Sequence, residues 1–90
     1  MANLHNKFPI GNFSRTDVVL SSASLGALIR EQRKLLKLTQ ADLAGIGNTG
    51  NRFIVDLENG KPTVQLQKVL DVMNLLGLEV VVQRKTAGER

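Results

Sequence analysis

The sequence predicts a mainly α domain of four to five short helices, organised around a helix-turn-helix and followed by a C-terminal β-strand. Three observations predict it. Residues 39–60, TQADLAGIGNTGNRFIVDLENG, read as two short helices joined by a tight turn. Apolar residues recur at helical spacing before that stretch (Leu25, Leu28, Ile29) and after it (Leu66, Val69, Leu70, Met73, Leu76). Gly77 then precedes LEVVVQR, a run rich in β-branched residues.

The bulk composition fits one small unit. Ninety residues make one domain plus arms, and 42% hydrophobic residues suffice for a core. With three Phe and no Trp or Tyr, that core must be aliphatic, which suits packed helices. So small a domain buries a modest share of its surface, and dimerisation is an expected source of further stability. A net charge of +4 and a pI near 10.0 suit a polyanionic partner, but on charge alone a well-solvated charged surface is the favoured reading. The absence of Cys excludes disulfides and thiolate metal sites, and the lone His5 lies in a polar tail, so no metal or other cofactor is expected. No apolar run reaches membrane-spanning length and MANLHNKF lacks a signal-peptide core, so a cytoplasmic protein with no membrane contact is expected. No Gly-rich phosphate loop, acidic cluster or Ser with a placed base appears, which argues against an enzyme.

The elements follow in order. Residues 1–22 are an N-terminal arm, read first as a loose tail pinned by Phe13 or by Val18 to Leu20. A second reading makes it an arm that touches DNA or a partner protein through Lys7 and Arg15. The main domain spans residues 23–77. Its first helix is expected over 24–37, with Leu25, Leu28, Ile29, Gln32, Leu35 and Leu36 inward, Arg30, Lys34 and Lys37 outward, and Arg33 between the faces. Thr39 and Asp42 form a T-x-x-D capping box at the start of the second. The run GIGNTG supplies left-handed backbone for a turn, and the third helix spans about 51–58, closed by Asn59-Gly60. The fourth is expected over 64–76, started by Pro62-Thr63, with Leu66, Val69, Leu70, Met73 and Leu76 in the core and Val72 and Leu75 to one side. Residues 78–84 are the strand and 85–90 a tail. One strand cannot stand alone. Leu78, Val80, Val81 and Val82 are therefore expected to pair with the same strand of a second copy across a two-fold axis, or with residues 18–20 of the same chain.

Thr39-Gln40, Leu43-Ala44, Ile54 and Glu58-Asn59-Gly60 stand in one ungapped register that resembles the repressor/Cro (XRE) helix-turn-helix class, whose motif runs T-Q-x-x-L-A, a turn, then I-x-x-x-E-N-G. Where that class usually has Gly in the turn and Ser or Thr capping the recognition helix, this chain has Asn48 and Gly50, both suited to the backbone. The resemblance implies a repressor-like DNA-binding domain. It implies base reading by Asn51, Arg52 and Asp56 with Val55 alongside, since Asn pairs with adenine, Arg with guanine and Asp only with cytosine N4. It also implies a DNA-backbone contact by Gln40 at the start of helix 2. Asp56 could equally hold Arg52 in place. Lys61 and the N–H groups of Thr49 and Gly50 are expected on phosphates. Arg30, Lys34 and Lys37 read first as a solvated face and second as further phosphate contacts. Phe53 reads as outward, packing on a thymine methyl or on the N-terminal arm. An Arg33–Glu58 ion pair, structural rather than DNA-binding or catalytic, is likewise implied.

A narrower resemblance lies in LGALIREQRKLLKLTQADLAG and RFIVDLENGKPTVQLQKVLDVMNLLGLEVVV, about two-thirds of the chain, which resemble the HipB-type antitoxins. It implies a homodimer with the C-terminal strand paired between subunits, bound to double-stranded operator DNA and to a HipA-like Ser/Thr kinase toxin. Such a protein represses its own operon and neutralises the kinase. The alternatives are a stand-alone repressor-like regulator, or a protein-interaction module with weak DNA binding.

Overall fold

A computed structural model describes residues 16–85, so most of the expected N-terminal arm and nearly all of the tail lie outside the described residues. Four helices follow in order: α1 (Ser22–Leu35), α2 (Gln40–Gly47), α3 (Asn51–Glu58) and α4 (Leu66–Leu75). α3 lies against both α1 and α2, and α4 packs on α2. Ile29 of α1, Leu43 of α2, Ile54 of α3 and Val72 of α4 are fully buried where the helices converge, as is Leu76 just beyond α4.

Helix starts follow local hydrogen bonding. Ser21 caps α1, its hydroxyl accepting from the Ser24 N–H at 3.0 Å, so α1 begins at Ser22, two residues before the expected start at 24. The capping box of α2 is complete: the Asp42 N–H donates to Thr39 Oγ1 and the Thr39 N–H to Asp42 Oδ2, each at 2.9 Å. Thr39→Ala is therefore expected to lower stability by about 1 kcal/mol in urea denaturation. An unchanged midpoint would mean that burial of Leu43 and Ala44 alone sets the start of α2.

Helix ends share one device. Lys37, Asn48, Gly60 and Gly77 all have positive φ. The N–H after each donates five residues back: Leu38 to Arg33, Thr49 to Ala44, Lys61 to Asp56 and Leu78 to Met73. This is the Schellman closure. It corrects two expectations. α1 stops at Leu35 because Lys37 turns left-handed, and the 45–50 turn is shorter than its glycines suggest. Gly45 and Gly47 belong to α2, and Asn48 alone in that run takes the left-handed conformation. A helical Gly costs about 1 kcal/mol, which a capped helix with two buried side chains absorbs.

α4 also differs in detail. Pro62-Thr63 forms a turn rather than a cap, and α4 starts after Gln65, without a side-chain cap bond. Its buried face is Val69, Val72, Met73 and Leu76, at i, i+3, i+4 and i+7. Val72 therefore belongs to the core, whereas Leu66 is 70% exposed. On α1, Leu35 is half-exposed rather than inward. Among the described residues no strand forms. The 78–85 run leaves Val80, Val81 and Val82 exposed, and residues 18–20 of the same chain do not pair with it.

α1 and α3 approach each other through Gly26. A Cβ there would overlap the Leu57 carbonyl oxygen and stand 2.8 Å from the Glu58 oxygen. Gly60 serves the same contact from the other side. Its φ of +84° closes α3, and a Cβ would lie 2.7 Å from Ala23 Cα.

Candidate nucleic-acid interface

The C-terminal end of α3 is anchored by a buried polar cluster. Arg33 is 6% exposed and Glu58 7%. Arg33 Nε donates to Glu58 Oε2 at 2.6 Å and Nη2 to Oε1 at 3.0 Å, a two-pronged pair, while Nη1 donates to the Leu38 carbonyl at 2.7 Å. Gln40 Nε2 donates to Glu58 Oε1 at 3.0 Å. Burial pushes the Glu58 carboxyl up. The hydrogen bonds from Arg33 and Gln40, with the charges of Arg33 and Arg30, more than offset this and hold it below the ordinary carboxylate range. The Glu58 carboxylate in turn raises Arg33, by hydrogen bond and charge, against the opposing effect of burial. The Arg33–Glu58 pair thus joins α1, the α1–α2 turn, the start of α2 and the end of α3. The Gln40 bond was not legible in the sequence, where Gln40 reads as a DNA-backbone contact only.

The other end of α3 faces outward. Asn51 and Arg52 are exposed, and Val55 and Asp56 are half-buried. Gly50 caps α3 without a side chain, so no side-chain oxygen occupies the N–H groups of its first turn. Gly50 is exposed, and Thr49 Oγ1 donates to the Gly50 carbonyl at 3.1 Å. Asp56 lies between two cations: Arg52 Nε stands 3.7 Å from its Oδ1 and Lys61 Nζ 3.5 Å from its Oδ2. The i,i+4 spacing of Arg52 and Asp56 is visible in the sequence. The second cation is not, because it comes from beyond the left-handed closure at Gly60. Phe53 departs from expectation. It is half-buried against the core, with Lys68 Nζ 5.6 Å from its ring centre, and not outward. Its alternative partner, the N-terminal arm, lies largely outside the described residues.

Arg30 and Lys34 of α1 line a groove of about 750 Å³ together with Gln40 of α2, Val55 of α3 and Asn59 just beyond it. Lys37 stands apart in the left-handed turn after α1. Among the described residues no cluster of His, Cys, Asp or Glu could hold a metal ion. No described helix is long and apolar enough to cross a membrane.

Comparison with known proteins agrees with this arrangement. Residues 29–82 match the Helix-turn-helix family. The chain is 50% identical over 72 residues to the uncharacterized HTH-type transcriptional regulator y4mF of Sinorhizobium fredii, covering 80% of this chain and 92% of that protein. Among solved structures it is similar to a HipB variant in complex with an O2 20-mer, at a TM-score of 0.72 and 19% identity, over 80% of this chain and all of that one. It is also similar to a chain of a HipA–HipB–O2–O3 complex, at a TM-score of 0.72 and 18% identity, over 79% of this chain and all of that one. At such identities the likeness to the solved structures is one of fold. A capped α2, a left-handed turn at Asn48, an α3 pinned at Glu58 with its first turn exposed, and a family match across all of them lead to one conclusion: the chain belongs to the helix-turn-helix family of DNA-binding transcriptional regulators.

Proposed function

We propose that the protein is a homodimeric, sequence-specific operator-binding repressor that acts as the antitoxin of a HipA-like Ser/Thr kinase toxin and autoregulates its operon in the cytoplasm. One observation carries the DNA-reading part: α3 offers Asn51 and Arg52 on an exposed first turn while its far end is fixed by the buried Arg33–Glu58 pair. In this reading Asn51, Arg52 and Asp56 meet base edges, with Val55 alongside. Gln40, Thr49, Gly50 and Lys61 meet the DNA backbone. The Gln40 amide has two N–H groups, so one can stay on Glu58 while the other reaches a phosphate. Asp56, set between Arg52 and Lys61, limits how freely either cation reaches other DNA.

Dimerisation is supported by the exposed Val80, Val81 and Val82, on a run with no strand partner among the described residues. A paired ribbon of Leu78, Val80, Val81 and Val82 would set two recognition helices about 34 Å apart over a palindromic site. The antitoxin role is supported by the HipB-like sequence block and by the HipB fold.

The test is binding to the protein's own upstream DNA at two salt concentrations, with excess competitor. The product of an adjacent kinase-like reading frame is then added. Expected are a competitor-resistant complex, a supershift with the kinase and a dimer in sedimentation. Arg52→Ala should lose about 1–3 kcal/mol at one base pair of the site, whereas Lys61→Ala should weaken every sequence alike. Binding erased by salt and competitor would overturn the repressor reading. Specific binding without kinase capture would leave a stand-alone regulator.

A further inference from the structure

We infer that the groove between α1 and α3 is a second phosphate-binding wall, in which Arg30 and Lys34 grip the DNA strand on the side of the recognition helix opposite Lys61. The inference rests on the DNA-reading role of α3 and extends the interface to an element that role does not require.

The geometry is as follows. Along α3 and its C-cap, Asn51, Val55 and Asn59 recur at four-residue intervals and make one stripe, while Arg52 and Asp56 make the neighbouring stripe. A major groove is bounded by two phosphate strands, so a helix lying in it has one strand on each flank. The Arg52–Asp56 stripe leads to Lys61. The other stripe leads through Val55 and Asn59 into the groove that Arg30 and Lys34 share with Gln40, the first residue of α2. Arg30 and Lys34 are i,i+4 neighbours on α1 and both are exposed.

With Glu58 held by Arg33 in a two-pronged pair, the lining is net cationic, and Glu31 is the other acid beside the cations Arg30 and Lys34. The floor offers Leu35 and Val55, apolar surface against which a deoxyribose can rest while its phosphate meets the rim. An open groove of about 750 Å³ with two cations in its lining fits an extended phosphodiester strand.

The test is fluorescence anisotropy of the full chain on its own upstream DNA across a salt series. It compares wild type, the pair Arg30→Gln/Lys34→Gln, and a control of equal charge change, Lys68→Gln/Lys85→Gln. Each phosphate neutralised contributes about 0.9 to the slope of log K against log salt. Loss of two cations in each of two protomers should lower the slope by about 3 to 4, with the preference for operator over random DNA retained and the thermal midpoint unchanged. A slope equal to that of the control, on a wild type that binds specifically, would overturn the inference and leave the repressor reading intact. A wild type that forms no competitor-resistant complex would overturn both.

Discussion

Glu58→Ala is expected to lower stability by about 3–5 kcal/mol, a large fraction of the roughly 5–15 kcal/mol available to a small domain. The effect comes from what the substitution leaves behind. Arg33, 6% exposed in the native fold, keeps its charge and retains only the Leu38 carbonyl as an acceptor. Gln40 loses its acceptor as well. The same logic predicts that Arg33→Met/Glu58→Leu, which removes both charges and keeps the volume, recovers most of the loss. Urea denaturation at fixed protein concentration measures all three variants, the fixed concentration being needed because the stability of the proposed dimer would depend on it. A Glu58→Ala loss below about 1 kcal/mol would mean that water reaches Arg33 and that the pair is not buried in solution.

The pair also gives stability a pH dependence of known sign. The Glu58 carboxyl is lowered in the folded state, so the stability it contributes is fully present above the ordinary carboxylate value of about 4.3. It is lost as pH falls through the folded-state value, where the unfolded chain already binds the proton. Asp42, lowered by its hydrogen bonds to the Thr39 backbone and side chain, acts in the same direction. Stability should therefore fall on acidification below about pH 5. Glu58→Gln should flatten that fall while starting from a lower plateau. An unchanged acid limb in this variant would assign the dependence to Asp42 or to other carboxylates.

Much of this architecture was legible because the signals are local. The Thr39–Asp42 box, the Asn59-Gly60 closure and the 3.6-residue apolar spacing each fix a helix without reference to distant chain. What was not legible depends on closure of the fold. Lys37 takes a conformation usually given to Gly because Leu38 reaches back to Arg33. Val72 is core and Leu66 is not because α4 faces α2 with a helix that starts two residues later than its pattern suggests. The site divides in the same way. Asn51 and Arg52 could be placed by register with a motif, and the i,i+4 tie of Arg52 to Asp56 by helix geometry. The contacts of Gln40 with Glu58, and of Lys61 with Asp56, join residues whose proximity only the turns create.

Gly26 is the most consequential of the unread positions, and Gly26→Ala is expected to destabilise by about 3 kcal/mol. Intrinsic helix propensity predicts the reverse, since Ala replaces Gly in mid-helix with a gain of about 1 kcal/mol. The added methyl, however, overlaps the Leu57 carbonyl and approaches that of Glu58, and both obstacles are backbone atoms near the end of α3. No rotamer change relieves such a contact, so α1 and α3 must separate. That separation strains the Arg33–Glu58 pair, which spans the same interface. Gly45→Ala is the matched control: the residue is helical, and a Cβ there meets nothing within 4 Å. It should stabilise by about 0.5–1 kcal/mol. The same chemical change thus has opposite signs at two helical positions, read as midpoints in one denaturation series. If both variants were stabilised, α1 and α3 would stand further apart in solution, and the rigid seating of α3 on which the proposed base reading depends would be lost with the close contact.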